Sequence, residues 1–170
     1  ASISVEYQIT SQNCDGDTEL YDVKEFYRMR YLDTRIYLLD FQRSANQVFD
    51  GKLPVYSDDG IILGVRDKNV EYMMNDSATV LAFVQEGDLW SYSPGNGKVN
   101  QVFSFRKTED GDFRDSRIQH DIKIVRVTDA GDIDFVLYGY MNRGSHEGYE
   151  GIGVYHYNPD KNVAEERAFI

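Results

Sequence analysis

A chain of 170 residues carrying 29 acidic against 18 basic side chains, net charge −11, lacks the clustered cations that displace counterions from a nucleic-acid backbone and disfavours docking on anionic membranes. Its one cysteine, Cys14, excludes an internal disulfide and any multi-cysteine metal site. A hydrophobic fraction of 41% with 13 Tyr and 9 Phe marks a folded, strand-favouring chain, and no apolar run approaches the ~20 residues of a membrane-spanning helix.

Period-two alternation runs through the sequence. Ile3, Val5, Tyr7 and Ile9 alternate with Ser4, Glu6 and Gln8, the pattern of a half-buried strand. After the turn "CDGD", the segment Leu20–Leu32 could set Val23, Phe26, Tyr27 and Arg30 on one helical face. Tyr27, Met29 and Tyr31 alternating with Arg28 and Arg30 favour a strand instead. "RIYLLDFQRSANQVFDG" reads as strand, tight turn, strand, and so does "DLWSYSPGNGKVNQVFSF" further on. Between these, Ile61, Leu63 and Val65 precede the turn "RDKN", and Val70, Tyr72 and Met74 follow it. Ile122, Ile124, Val125 and Val127 form another run, then "IDFVLYGY" and the C-terminal "GVYHYNPDKNVAEERAFI". "SDDG", "PGNG", "EDGD", "DAGD" and "NPDKN" supply turns between them. The expectation is an all-β chain.

The strands recur in order. "NQVF" stands at Asn46–Phe49 and again at Asn100–Phe103, 54 residues on, and Tyr157-Asn158-Pro159 echoes Tyr92-Ser93-Pro94 at an offset of 65. The alignment divides the chain into repeats at about 1–53, 54–106 and 107–170, each of four antiparallel strands. Repeats of that length suggest propeller blades. A β-sandwich or meander is the alternative architecture.

"NDSATVLAFVQEGDLWSYSPGNGKV" and "VTDAGDIDFVLYGY…GIGVYHYNPDKNV" resemble blades of TolB-type β-propellers. The turn positions are Asn75-Asp76 and Asp129-Ala130-Gly131, the Phe positions Phe83 and Phe135, and the third strands carry Trp90-Tyr92 and Tyr155-Tyr157. The resemblance covers residues 70–105 and 121–170. It implies a partial or truncated propeller, because rings usually need four to eight blades. It also implies a docking or scaffold role for a protein or peptide partner, at a bacterial surface or in an exported protein. With Ala1 at the start and an apolar run ending at Ile170, the sequence reads as an excerpt of a longer chain. An open sheet edge is then expected, paired with another copy or coated by Ile3–Ile9.

The most suggestive segment for contact is "NRGSHEGYEG", which offers Arg143, Ser145, His146, Glu147 and Tyr149. Consecutive Ser145, His146 and Glu147 in extended chain point to opposite sides and cannot form a catalytic relay. "HEGYE" lacks the second His of a zinc-protease helix. Three glycines in ten residues predict a mobile or tightly turning loop that contacts a ligand or partner. Asp110, Asp112 and Asp115 in "EDGDFRD", and Asp15, Asp17 and Glu19 in "DGDTE", could ligate calcium, although Asp-Gly is first of all turn chemistry. No other cofactor is expected. His120 and His156 read as structural residues. Phe83, Trp90, Phe103, Phe135 and Tyr155 fall at recurrent apolar positions and are expected between sheets. A non-enzymatic binding or scaffold module is the leading reading; its rival is a glycan- or peptide-processing enzyme using carboxylates between repeats.

Overall fold

The computed structural model describes residues 1–57, 60–64, 70–106 and 113–170. Among these it holds no α-helix; a single 3-10 turn stands at Phe113–Ser116. No helix is long and apolar enough to cross a membrane. The chain divides into two compact units, one made of residues 1–49 and 63–68, the other of residues 50–62 and 69–170.

The first unit is a meander of β1 (Ser2–Gln12), β2 (Thr18–Leu32) and β3 (Arg35–Gln47), in the order β1-β2-β3. The alternation around Tyr27–Tyr31 does make a strand, and one of 15 residues, long against the usual five or six. The expected tight turn within residues 35–51 is absent. β3 runs unbroken for 13 residues, with a bulge that leaves Leu39 between the pairs Met29–Leu38 and Arg28–Asp40. The sheet therefore has three strands where four were expected. Asp33, in the left-handed region at φ 54, turns β2 into β3.

The second unit contains two four-stranded antiparallel sheets in simple up-and-down order. One is β6 (Tyr72–Met74), β7 (Leu81–Gln85), β8 (Asp88–Ser93) and β9 (Lys98–Phe103). The other is β10 (His120–Val127), β11 (Ile133–Tyr140), β12 (Glu150–Asn158) and β13 (Val163–Phe169). A two-stranded ribbon, β4 (Tyr56–Ser57) with β5 (Gly60–Ile61), precedes them. Of the described part of the alternating run, only Ile61 lies in this ribbon; Val65 and "RDKN" lie outside the described residues. The "QEGD" turn between β7 and β8 uses Glu86 at φ 46 and Gly87 at φ 79, the pair of positive angles that matches hairpin twist.

These two sheets pack face to face. Ala82, Leu89 and Val102 from one meet Ile122, Ile124, Ile133, Phe135, Leu137 and Tyr157 from the other, all buried. Phe103 lies 5.7 Å from Phe135 and 5.4 Å from Tyr155, whose ring stacks on Phe135 at 5.2 Å. Of the expected anchors, Phe83, Trp90 and Phe135 are buried, while Phe103 and Tyr155 are partly buried against this core. The other face of the β6–β9 sheet carries Trp90 and Tyr92. Gly51 sits against Trp90 and Val99, and Tyr56 stacks on Tyr92 at 5.9 Å, so residues 50–56 cover it. The outer face of the β10–β13 sheet leaves Tyr138, Ile152 and Val154 exposed. Both sheets have the four-stranded antiparallel form expected of a blade. Within this unit they pack as a pair, and no ring is closed.

Candidate functional site

The segment 142–151 joins β11 to β12, and its side chains leave in separate directions. Arg143 turns inward and donates to Asp115 Oδ1 at 2.7 Å, both side chains nearly buried. His146 lies flat on Phe169, ring centroids 3.8 Å apart, with Nε2 2.9 Å from Glu166 Oε1. Glu147 pairs with Arg114 at 2.6 Å. Ser145 and Tyr149 are exposed. Ser145, His146 and Glu147 thus have different surroundings, and no relay forms. The loop is also tied to itself: Met141 N–H donates to the Tyr149 carbonyl at 2.8 Å, and Gly148 N–H returns to the Met141 carbonyl at 2.9 Å. Gly144 and Gly148 sit at φ 95 and 92, so the glycines serve turns in an anchored loop.

Beside this loop an open groove is lined by Phe103, Phe105, Met141, Ser145, Tyr155 and Glu166. Arg143 also lines it, and Glu166 is its acidic group. Burial pushes Glu166 up, but the Tyr155 hydroxyl at 2.8 Å and His146 outweigh it and hold the carboxyl below its ordinary value. Burial, and then the bond to Glu166, raise the Tyr155 phenol. The groove therefore presents aromatic walls and a carboxylate already engaged by two neighbours.

Of the calcium candidates, Asp110 and Asp112 lie outside the described residues. Asp115 is buried beside Arg143, and its backbone carbonyl accepts from Arg106 at 2.7 Å. Asp15 and Asp17 stand in a turn built on Asn13 Oδ1, which accepts from both their backbone N–H groups. Among the described residues no cluster of three His, Cys, Asp or Glu could hold a metal ion.

Two histidines have partners that sequence spacing does not show. His120 is buried at the edge of the Phe105 ring and donates from Nε2 to the Gly87 carbonyl at 2.9 Å. Burial holds its imidazole below the ordinary value, with the Gly87 bond opposing. His156 lies across from Asp134 in the β11–β12 register, Nδ1 to Oδ1 2.7 Å, and Arg126 bonds the same carboxyl. These residues share a face because strand register pairs them, and only the register reveals it.

The largest feature is one the motifs missed, the face of the β1–β3 sheet that carries the odd-numbered side chains of β1 and β2. Ile3, Val5 and Ile9 of β1, Tyr31 of β2, and Ile36, Leu38 and Phe41 of β3 are all exposed on it; Tyr31 is 70% exposed and Ile36 68%. At its centre Glu25 is buried under three donors. The Tyr7 hydroxyl reaches Oε1 at 2.9 Å, the Tyr27 hydroxyl Oε2 at 2.5 Å, and Arg43 Nε Oε1 at 2.6 Å. The Tyr27 bond first, then Arg43 and Tyr7, hold this carboxyl below its ordinary value against desolvation. The opposite face carries Ser4, Glu6, Gln8, Lys24, Arg28, Gln42 and Ser44, together with Phe26 and the exposed Leu32 and Tyr37. Alternation at Ile3–Ile9 was a signal for one strand of this face, but its extent needs three strands in register.

No family model, curated protein or solved structure matches the chain.

Proposed function

We propose that the chain is a non-enzymatic protein-binding module of a surface or exported protein, and that the apolar face of its three-stranded sheet is the recognition surface. One observation carries this reading. Large apolar side chains at Tyr31, Ile36, Leu38 and Phe41 stand open together at one end of an amphipathic sheet, and exposed patches of that kind mark interaction sites. The opposite face is polar along β1 but also exposes Leu32 and Tyr37, so it is the contiguity of Tyr31, Ile36, Leu38 and Phe41 with Ile3 and Val5 that marks the docking side. The blade-like pair of sheets and the TolB-type turn and strand pattern support a scaffold role for the second unit. The acidic, cysteine-poor composition supports the location.

The test uses a photo-crosslinking side chain placed at Leu38, with Asp160 in the β12–β13 turn as the control position, in cells expressing the full chain. The expected result is a discrete protein adduct from Leu38, absent from Asp160 and lost when Ile36→Ser is added. Equal adducts from both positions, or none from Leu38, overturn the reading.

A further inference from the structure

Among the described residues β1 and β3 are the two edge strands of the three-stranded sheet, and they are built differently. β3 is guarded in the ways proteins use to stop strand addition: it carries Arg35, Asp40 and Arg43, and a bulge at Leu39. At the end of the other unit, β13 presents Glu165, Glu166 and Arg167. β1 has none of these guards. It runs 11 residues without a register break, contains no Lys, Arg or Pro, and bears one charge, Glu6. At ~3.4 Å per residue its edge is about 37 Å long.

The backbone direction of that edge follows from one pair. Ala1 and Met29 exchange both hydrogen bonds, at 2.8 Å each. Every second residue of an antiparallel strand repeats the pattern, so odd residues of β1 bond inward to β2. Ser2, Ser4, Glu6, Gln8, Thr10 and Gln12 then turn their N–H and C=O groups outward, and among the described residues β1 has no strand on that side.

We infer that this edge pairs with itself: two copies of the chain join antiparallel through Ser2–Gln12, about a dyad at Tyr7, into one sheet of three plus three strands. The occupant follows from self-complementarity. Tyr7 is the midpoint of β1, so this register alone overlaps the whole strand. It sets Ser2 opposite Gln12, Ser4 opposite Thr10 and Glu6 opposite Gln8, all outward-facing pairs, giving about 12 new backbone hydrogen bonds. On the apolar face Val5 meets Ile9 and Tyr7 meets Tyr7. A shift by two residues would place Glu6 against Glu6, and a shift by one would turn apolar side chains to the polar face. The pairing is isologous, and its dyad is perpendicular to the sheet, so both apolar faces lie on the same side. The dimer forms whatever docks on that face.

The experiment is sedimentation equilibrium of the full chain from micromolar to millimolar concentration, with amide exchange read residue by residue. Wild type should dimerise, and the amides of Ser4, Glu6, Gln8 and Thr10 should gain protection as it does. Ser4→Pro removes an outward donor from a strand position that tolerates proline; it should stay folded by circular dichroism and be monomeric. Ser4→Lys and Thr10→Glu face each other only across the proposed dyad. Combined in one chain they should tighten dissociation about 2- to 30-fold relative to the additive effect of the single changes. A wild-type chain monomeric throughout, a dimer indifferent to Ser4→Pro, or strictly additive Ser4→Lys and Thr10→Glu effects would each overturn the proposal. If the crosslinking test fails while the dimer forms, the face is not a docking site but the edge is real.

Discussion

The side-chain amide of Asn75 donates to Asp129 Oδ1 at 2.7 Å, joining the opening turn of one four-stranded sheet to that of the next. The two residues are 54 positions apart, the same offset as the repeated "NQVF". Asn75 also organises its own turn, its Oδ1 accepting from the N–H groups of Thr79 and Val80 at 2.9 and 2.8 Å. Ser77 adds its hydroxyl and N–H to Asp129, and with Asn75 these bonds hold the Asp129 carboxyl below its ordinary value.

Asn75→Ala should therefore lose about 2–4 kcal/mol of stability in urea unfolding, several hydrogen bonds at ~1 kcal/mol each. Asn75→Asp keeps the acceptor but turns a second carboxylate toward Asp129. Its deficit should be largest at neutral pH and shrink as the pH falls into the carboxylate range, where one of the two groups takes a proton. A deficit independent of pH would show that the two turns are not coupled.

His120 sets an acid limit. Its folded-state value lies below the ordinary ~6.5. Below that pH the unfolded chain binds a proton that the folded chain refuses, so stability falls as pH drops from ~6.5 towards the depressed value, by at most ~1.4 kcal/mol per pH unit. His120→Gln should lower stability at pH 8 yet flatten this part of the profile. Thermal melts between pH 8 and pH 5 would measure both effects.

Asp115 and Arg143 form a nearly buried ion pair. Asp115→Asn removes the carboxylate charge from this pair and should cost about 3–5 kcal/mol. The loss should be the same with calcium or with EDTA. Stabilisation of wild type by calcium that vanishes in Asp115→Asn would return this residue to a metal role.

Gly139 occupies φ +117, and a Cβ there would stand 2.6 Å from the Gln119 carbonyl oxygen. Gly139→Ala should cost more than about 1 kcal/mol. In the open space around Gly144 no such clash exists, so Gly144→Ala should be the milder change. Equal melting temperatures for the two variants would contradict the close approach.

Strand identity was legible where one face of a strand is buried. "IDFVLYGY" is β11 from end to end, with Ile133, Phe135 and Leu137 inward. The run Ile61–Val65 shows the same alternation, yet in its described part only Ile61 belongs to a strand, the two-residue β5, so alternation alone does not set strand length. Strand number per sheet was less legible: residues 35–51 look like a hairpin, yet β3 crosses them as one strand against the length of β2. Contacts such as Glu25 with Arg43, or Asp134 with His156, depend on which residues stand opposite one another. The local sequence encodes turn chemistry and alternation, but register emerges only when strands meet.

Glu25 has a consequence for how its surface meets water. A bare carboxylate in the middle of an apolar face would hold a hydration shell there and resist any cover. Here both oxygens are already occupied by Tyr7, Tyr27 and Arg43, so the centre can dry together with its surroundings. Docking on that face should then carry the calorimetric mark of dewetting, a strongly negative heat-capacity change. Edge pairing through β1, made mainly of backbone hydrogen bonds, should show a much smaller one. Titration at several temperatures can therefore tell which of the sheet's two surfaces a ligand has met.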